Sequence, residues 1–216
     1  MTIHSIKTYY ILVSDMMHKE LNMKSLEQVK AHLRPGQVYR RSYFAELSKS
    51  PDRHLAQLMA EGTLTKIRQG LYLCPKRTRF GELPTKPAKL VKTFLKDDNF
   101  LLTSPNDYNT LGLGTTQLYN VQVVYNHKRH GRFVLDGKTF DFRLKPRFPK
   151  KVTPEFLLVD LVNNLNELAE DRELVLRRVW GKIPQLNLKR LCSAVKRFGK
   201  VSTQKNFKEA LKDVCQ

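Results

Sequence analysis

Acidic side chains are scarce in this chain: 20 aspartates and glutamates stand against 39 lysines and arginines, a formal charge of +19 over 216 residues. Such an excess favours a polyanionic partner over an anionic membrane surface or mere solubility, because each neutralised phosphate releases condensed counterions. Cysteine is scarce too. Cys74, Cys192 and Cys215 lie far apart and form no CxxC pair, so neither a disulfide framework nor a cysteine-based zinc site is expected. A reducing cytoplasm is the simplest setting for such a chain. No apolar run approaches the roughly 18 residues that span a bilayer, so no membrane partner is expected. There is no internal repeat and no low-complexity tract. The short apolar run Tyr9 to Val13 lacks the basic flank and small-residue cleavage site of a signal peptide. Met16, Met17 and Met23 offer alternative starts, so residues 1–24 read as an N-terminal extension or a start placed too early.

What is present is a hydrophobic fraction of 41%, ordinary for a globular chain and enough for one large core or two small ones. The pattern predicts an α+β protein: an N-terminal winged helix-turn-helix over 25–79, then a mixed α/β domain over 80–216. The second part is β-containing over 80–150 and ends in a helical segment over 151–216. Ser25 is placed to cap a first helix that runs to about Leu33, where Pro35-Gly36 ends it. Val38-Tyr39 is a short extended piece, and a second helix opens at Arg41 or Ser42 with Phe44 and Leu47 inward. Ser50 as N-cap, Pro51 at the first helical position and Asp52 in the first turn start a third helix. That helix buries Leu55, Leu58 and Met59 and stops at Gly62. Thr63 to Ile67 and Leu71 to Cys74 are β-prone runs joined through Arg68-Gln69-Gly70, the composition of a hairpin.

Beyond Phe80 the pattern gives a helix over Pro87 to Leu95, a strand over Phe100 to Leu102 and a capped helix from Ser104 to Gly112. Strands follow at Val121 to Tyr125, Phe133 to Leu135 and Thr139 to Leu144, the last two joined by Asp136-Gly137. Thr153 caps a long helix with apolar positions from Leu157 to Leu168 at 3.6-residue spacing. Three shorter helices complete the chain: Arg172–Trp180, Leu186–Phe198 and Thr203–Val214.

In a winged helix-turn-helix the third helix enters the major groove with its N-terminal residues toward base edges. Ser50, Arg53, His54 and Gln57 are therefore the candidate base readers, Arg53 with the fork that fits guanine. Lys49, Arg40 and Arg41 suit phosphate contacts, which orient without specifying. Lys66, Arg68 and Gln69 occupy the wing. Farther on, His127 and His130 flank Lys128-Arg129, and with Arg132 they form a basic loop rather than a metal site, a candidate for nucleic-acid or partner contact. Between Glu173 and Glu209 there are ten basic residues and no acid. Arg177, Arg178, Lys189, Arg190, Lys196 and Arg197 of that stretch are further candidates for nucleic-acid or partner contact. The Gly-x-Gly of Gly112 and Gly114 lacks the further glycine or Gly-Lys-Ser/Thr of a phosphate cradle, Gln117 standing where a third glycine belongs. No catalytic set, metal site or cofactor is expected. The rival reading, a nuclease or nucleotide transferase, needs divalent metal on Asp107, Asp136, Asp141 or Asp160.

With these residues in view, the chain over roughly 25–216 resembles the AbiEi-type antitoxins of type IV toxin–antitoxin systems. The resemblance rests on RQGLY (Arg68 to Tyr72), FGELP (Phe80 to Pro84) and YNTLGLGTTQLYN (Tyr108 to Asn120). VVYNHKRHG (Val123 to Gly131), RFPKK (Arg147 to Lys151) and FLLVDLVNNLNELAED (Phe156 to Asp171) add to it. It implies an autorepressor that binds inverted repeats in its own double-stranded operator DNA. It also implies a C-terminal domain that counteracts a nucleotidyltransferase-like toxin without a stable complex. By position in the motif it carries to Arg53, Lys66, Arg68 and Gln69. RNA is a further partner open to the C-terminal basic helices.

Overall fold

The computed structural model describes residues 26–113, 118–168 and 170–211. The expected extension 1–24, the cap at Ser25, Gly114, Gln117, Cys215 and the end of the last helix at Val214 lie outside the described residues. The protein is mixed α+β, and the chain forms two compact units, Met1–Phe94 and Leu95–Gln216.

In the first unit, α1 is helical over 26–31 and ends two residues before the expected Leu33. Gly36, at φ +77°, makes the turn into β1 (Gln37–Arg40). The chain passes directly into α2 (Arg41–Leu47) and, after Ser48-Lys49-Ser50, into α3 (Pro51–Ala60). Ser50 makes no side-chain cap there. Ser48 ties the turn before the helix: its Oγ accepts from the Ser50 backbone N–H at 3.0 Å and bonds His54 Nδ1 at 2.8 Å. Gly62, at φ +69°, releases the chain from α3. Next come β2 (Thr65–Arg68) and β3 (Leu71–Cys74), so Arg68 is a strand residue and only Gln69-Gly70 form the turn. The three strands pair antiparallel in the order β1-β3-β2, with an irregularity between Lys66 and Arg68. Leu26, Val29, Phe44, Leu55, Leu58, Leu64 and Tyr72 form the core of these elements, with Met59 and Leu47 partly buried against it. Each fully buried Phe or Leu there contributes about 1.5–3 kcal/mol. A second hairpin, β4 (Lys76–Thr78) with β5 (Gly81–Leu83), was not expected from the sequence. It is exposed along its whole length, so no alternation of apolar and polar residues announces it. Helix α4 (Pro87–Leu95) follows as expected.

In the second unit, β6 (Leu101–Thr103), β7 (Val121–Asn126), β8 (Gly131–Leu135) and β9 (Lys138–Leu144) form a sheet in the order β6-β7-β9-β8. β7 and β9 run parallel, while β8 turns back on β9 through Asp136 and Gly137, both at positive φ. Pro105–Leu111 is a 3₁₀ helix with a capping box between Ser104 and Asp107, and Gly112 at φ +68° closes it. α5 (Pro154–Asn163) is capped by Thr153 Oγ1, which accepts from the Phe156 N–H at 3.2 Å. It is shorter than the apolar period predicts. Asn163 donates to the Phe198 carbonyl and accepts from the Lys200 N–H, and Leu165–Glu167 tightens into a 3₁₀ turn. α6 (Arg172–Lys182), α7 (Leu188–Phe198) and α8 (Val201–Ala210) complete the unit. Leu157, Leu158, Leu161, Val175, Val179, Leu191 and Phe207 are among the residues of its core. Cys74 is a free buried thiol. Cys192 is disulfide-bonded, a cross-link that the spacing of the cysteines did not announce. Among the described residues no helix is long and apolar enough to cross a membrane.

Candidate nucleic-acid interface

On α3 the apolar side chains Leu55 and Leu58 face the core, so the opposite side of the helix is set by default. Arg53 is exposed there, with Lys49 and Ser50 exposed at the helix start. His54 is not among the exposed residues. It is 2% exposed, its Nδ1 is held by Ser48, and burial, with Arg53 beside it, lowers its pKa. A neutral imidazole packed inside unit 1 cannot reach a base edge, so its assignment as a reader is corrected. Gln57 is half-buried and its Oε1 is enclosed without a hydrogen-bond partner among the described residues. Its amide oxygen is enclosed, which counts against Gln57 as a base reader.

The two arginines at the β1–α2 junction are also committed. Arg40 donates from Nε to the Thr93 carbonyl at 2.6 Å and from its second arm to the Phe94 carbonyl, both at the end of α4. These are carbonyls that the helix leaves unsatisfied, and a cation suits the negative end of the dipole. Arg40 is thus a helix C-cap and not a phosphate ligand. Arg41 forms a two-pronged pair with Asp52, at 2.7 and 2.5 Å, which occupies its fork. In the first hairpin, Lys66, Arg68 and Gln69 are exposed. The second hairpin adds exposed Lys76, Arg77 and Arg79, with Phe80 85% exposed at the turn and the Arg79 guanidinium over its ring at 4.6 Å.

The C-terminal candidates separate into groups. Lys128 pairs with Asp97 at 3.0 Å and donates to the Lys96 carbonyl. Asp97 is held below the usual carboxylate range by the Asn99 N–H and by Lys128. Asn126 organises the basic loop: its Oδ1 accepts from the N–H groups of Lys128 and Arg129, and its Nδ2 donates to the carbonyls of Val124 and Arg129. His127 and His130 line different cavities, so the pair does not converge on one ion. Arg177 and Arg178 are exposed on α6, and Lys196 on α7.

His127, Lys189, Arg190 and Arg197 come together. They line an 820 Å³ cleft with Arg147, Phe148 and Lys150 of the loop after β9. On α7, Lys189, Ser193 and Arg197 recur every four residues and so share a face. Arg147 and Lys150 stand in the sequence among prolines, where no periodicity marks them.

A second cavity of 720 Å³ carries His130 and Arg132 at its wall, with Arg143, Lys145 and Lys200. Tyr108 and Asn164, which also line it, belong to a buried polar network that no local sequence signal announces. Tyr108 Oη and Tyr125 Oη donate to the two oxygens of Asp160, at 2.9 and 2.7 Å, and Asn164 Nδ2 donates to both phenol oxygens. Burial raises the Asp160 pKa against the lowering effect of both tyrosines, and burial beside Asp160 raises both phenols. The Lys145 ammonium lies 5.2 Å from the Tyr125 ring centre, and burial lowers its pKa. The other carboxylates of the enzyme reading are spread out. Asp107 caps a 3₁₀ helix, Asp136 makes a turn, and Asp141 pairs with Arg143 at 2.7 Å. Among the described residues no three His, Cys, Asp or Glu side chains gather closely enough to hold a metal ion. Comparison with known proteins finds no family model and no curated sequence that match the chain.

Proposed function

We propose that the chain is a non-enzymatic, DNA-binding autorepressor and antitoxin of a type IV toxin–antitoxin system. In this reading the first unit is a winged helix-turn-helix: α2 and α3 are the helix-turn-helix, and β2–β3 is the wing. The observation that carries it is the exposed start of α3, where Arg53 stands clear on the helix and Lys49 and Ser50 stand clear in the turn before it, while the other side of the helix is core. The element order and the β1-β3-β2 sheet support the same assignment. Arg53 reads a base edge, Lys49 and Lys66 meet phosphates, and Arg68 and Gln69 follow the adjacent backbone or minor groove. Two copies occupy the halves of an inverted repeat. The C-terminal unit counteracts a nucleotidyltransferase-like toxin without a stable complex. This last role rests on the family resemblance.

Equilibrium binding of the full chain to duplex DNA from its own promoter, beside a scrambled duplex of equal length, tests the DNA-binding part. The expected result is preference for the promoter, with log affinity falling against log salt by about 0.9 per phosphate contacted. Equal binding to both duplexes would remove operator recognition. Growth rescue on co-expression with the neighbouring toxin gene tests the antitoxin part.

A further inference from the structure

We propose that the cleft between the 146–153 loop and α7 of the C-terminal unit binds single-stranded nucleic acid. Arg147, Lys150, Lys189, Arg190 and Arg197 hold its phosphates, and the stacked His127–Phe148 pair receives a base. This goes beyond duplex binding and involves different residues in a different unit.

Three observations carry the inference. First, five cations line one 820 Å³ cleft against a single carboxylate, Glu155, which is itself buried. None of the five forms an ion pair with a described carboxylate, in contrast to Arg41, Arg77, Lys128 and Arg143, which all do. Positive charge left uncompensated around a concavity marks where an anion is to sit. Second, the cleft offers flat surfaces. The His127 and Phe148 rings stack at 4.8 Å with 26° between their planes, and the Arg197 guanidinium lies 5.1 Å from the Phe198 ring centre. Single-strand binders combine a basic groove that tracks the backbone with rings on which unpaired bases stack. An acidic peptide would use the charge and leave the rings idle. Third, the cleft is framed on both sides. α7 is anchored by Leu191, Ala194 and Val195 in the core, and Phe148 packs on the cluster of Leu101, Val123, Tyr125 and Phe156. The cations therefore stand on fixed supports.

The test uses the full chain and fluorescence anisotropy with a labelled ten-nucleotide RNA, the matching DNA strand, a glutamate peptide and promoter duplex. The variants are His127→Ala and the double variant Lys189→Ala with Arg190→Ala, all at exposed positions. The double variant is expected to weaken oligonucleotide binding by about tenfold or more and to flatten its salt dependence by about 1.4, two phosphates at 0.7 each. His127→Ala is expected to weaken oligonucleotide binding by about fivefold or more while leaving the peptide unchanged. Duplex binding stays as in the parent, which separates this result from failure of the DNA-binding reading. RNA preference over the DNA strand, or equal binding of the two, supports the site and assigns or dismisses a role for the 2′-hydroxyl. Unchanged oligonucleotide binding in the double variant, or a glutamate peptide that binds as tightly as the oligonucleotide, overturns the proposal.

Discussion

Arg41 and Asp52 join the start of α2 to the first turn of α3 through a two-pronged ion pair at 2.7 and 2.5 Å. The guanidinium holds the Asp52 carboxyl below the usual carboxylate range. Both groups are solvent-exposed, so the pair adds little to stability. Its larger effect is on binding, because it neutralises a cation beside the proposed DNA face. Asp52→Asn is expected to leave the melting temperature nearly unchanged while strengthening duplex binding. The log–log salt slope should steepen by about 0.9, one added phosphate. Salt titration of the variant beside the parent reads this directly.

Arg40 behaves oppositely. Its donors satisfy the carbonyls of Thr93 and Phe94, and hydrogen bonds from a charged group are worth about 1.5–3 kcal/mol. Arg40→Ala should therefore lower the denaturation midpoint of the first unit and leave the salt slope for duplex binding unaltered. A lost salt slope without lost stability would return Arg40 to the phosphate contacts.

His54 couples the first unit to pH. Burial lowers its folded pKa beneath the unfolded value of about 6.5. The unfolded state then binds the proton more readily. The associated stability is complete above about pH 6.5 and is lost as pH falls through the folded pKa. Urea denaturation followed from pH 7.5 downward should show the decline in the parent and a flatter profile in His54→Asn. A profile as steep in the variant would place the coupling elsewhere.

Tyr125→Phe leaves one oxygen of buried Asp160 without its donor and is expected to cost about 1–3 kcal/mol. Tyr108→Phe does the same at the other oxygen. Since Asn164 donates to both phenols, the two losses should not add, and a double-mutant cycle by chemical denaturation measures the coupling.

Much of the first unit was legible because its signals are local. Pro51 and Asp52 mark the start of α3, Leu55 and Leu58 mark its inner face, and Gln69-Gly70 mark a turn. The start of the 3₁₀ helix at Ser104 and the Asp136-Gly137 turn were legible for the same reason. What the sequence concealed depends on partners far along the chain. Asp160 stands alone in an apolar helix until β7 and the 3₁₀ helix bring Tyr125 and Tyr108 to it. Arg40 is one basic residue among many until the end of α4 arrives beneath it. The amphipathic period carried α5 through Leu165 and Leu168, but hydrogen bonds from Asn163 to the α7–α8 turn end it at Asn163. Arg147 and Lys150 join α7 only through the loop that follows β9.

The central claim is that α3 recognises DNA, and Arg53 tests it most directly. Arg53→Ala, titrated against promoter duplex and scrambled duplex at matched salt, is expected to lose about 1–3 kcal/mol on the promoter and much less on the scrambled sequence. The preference between them should shrink accordingly. An Arg53→Ala protein that keeps both the parent's promoter affinity and its preference would contradict the assignment of α3 as the recognition helix.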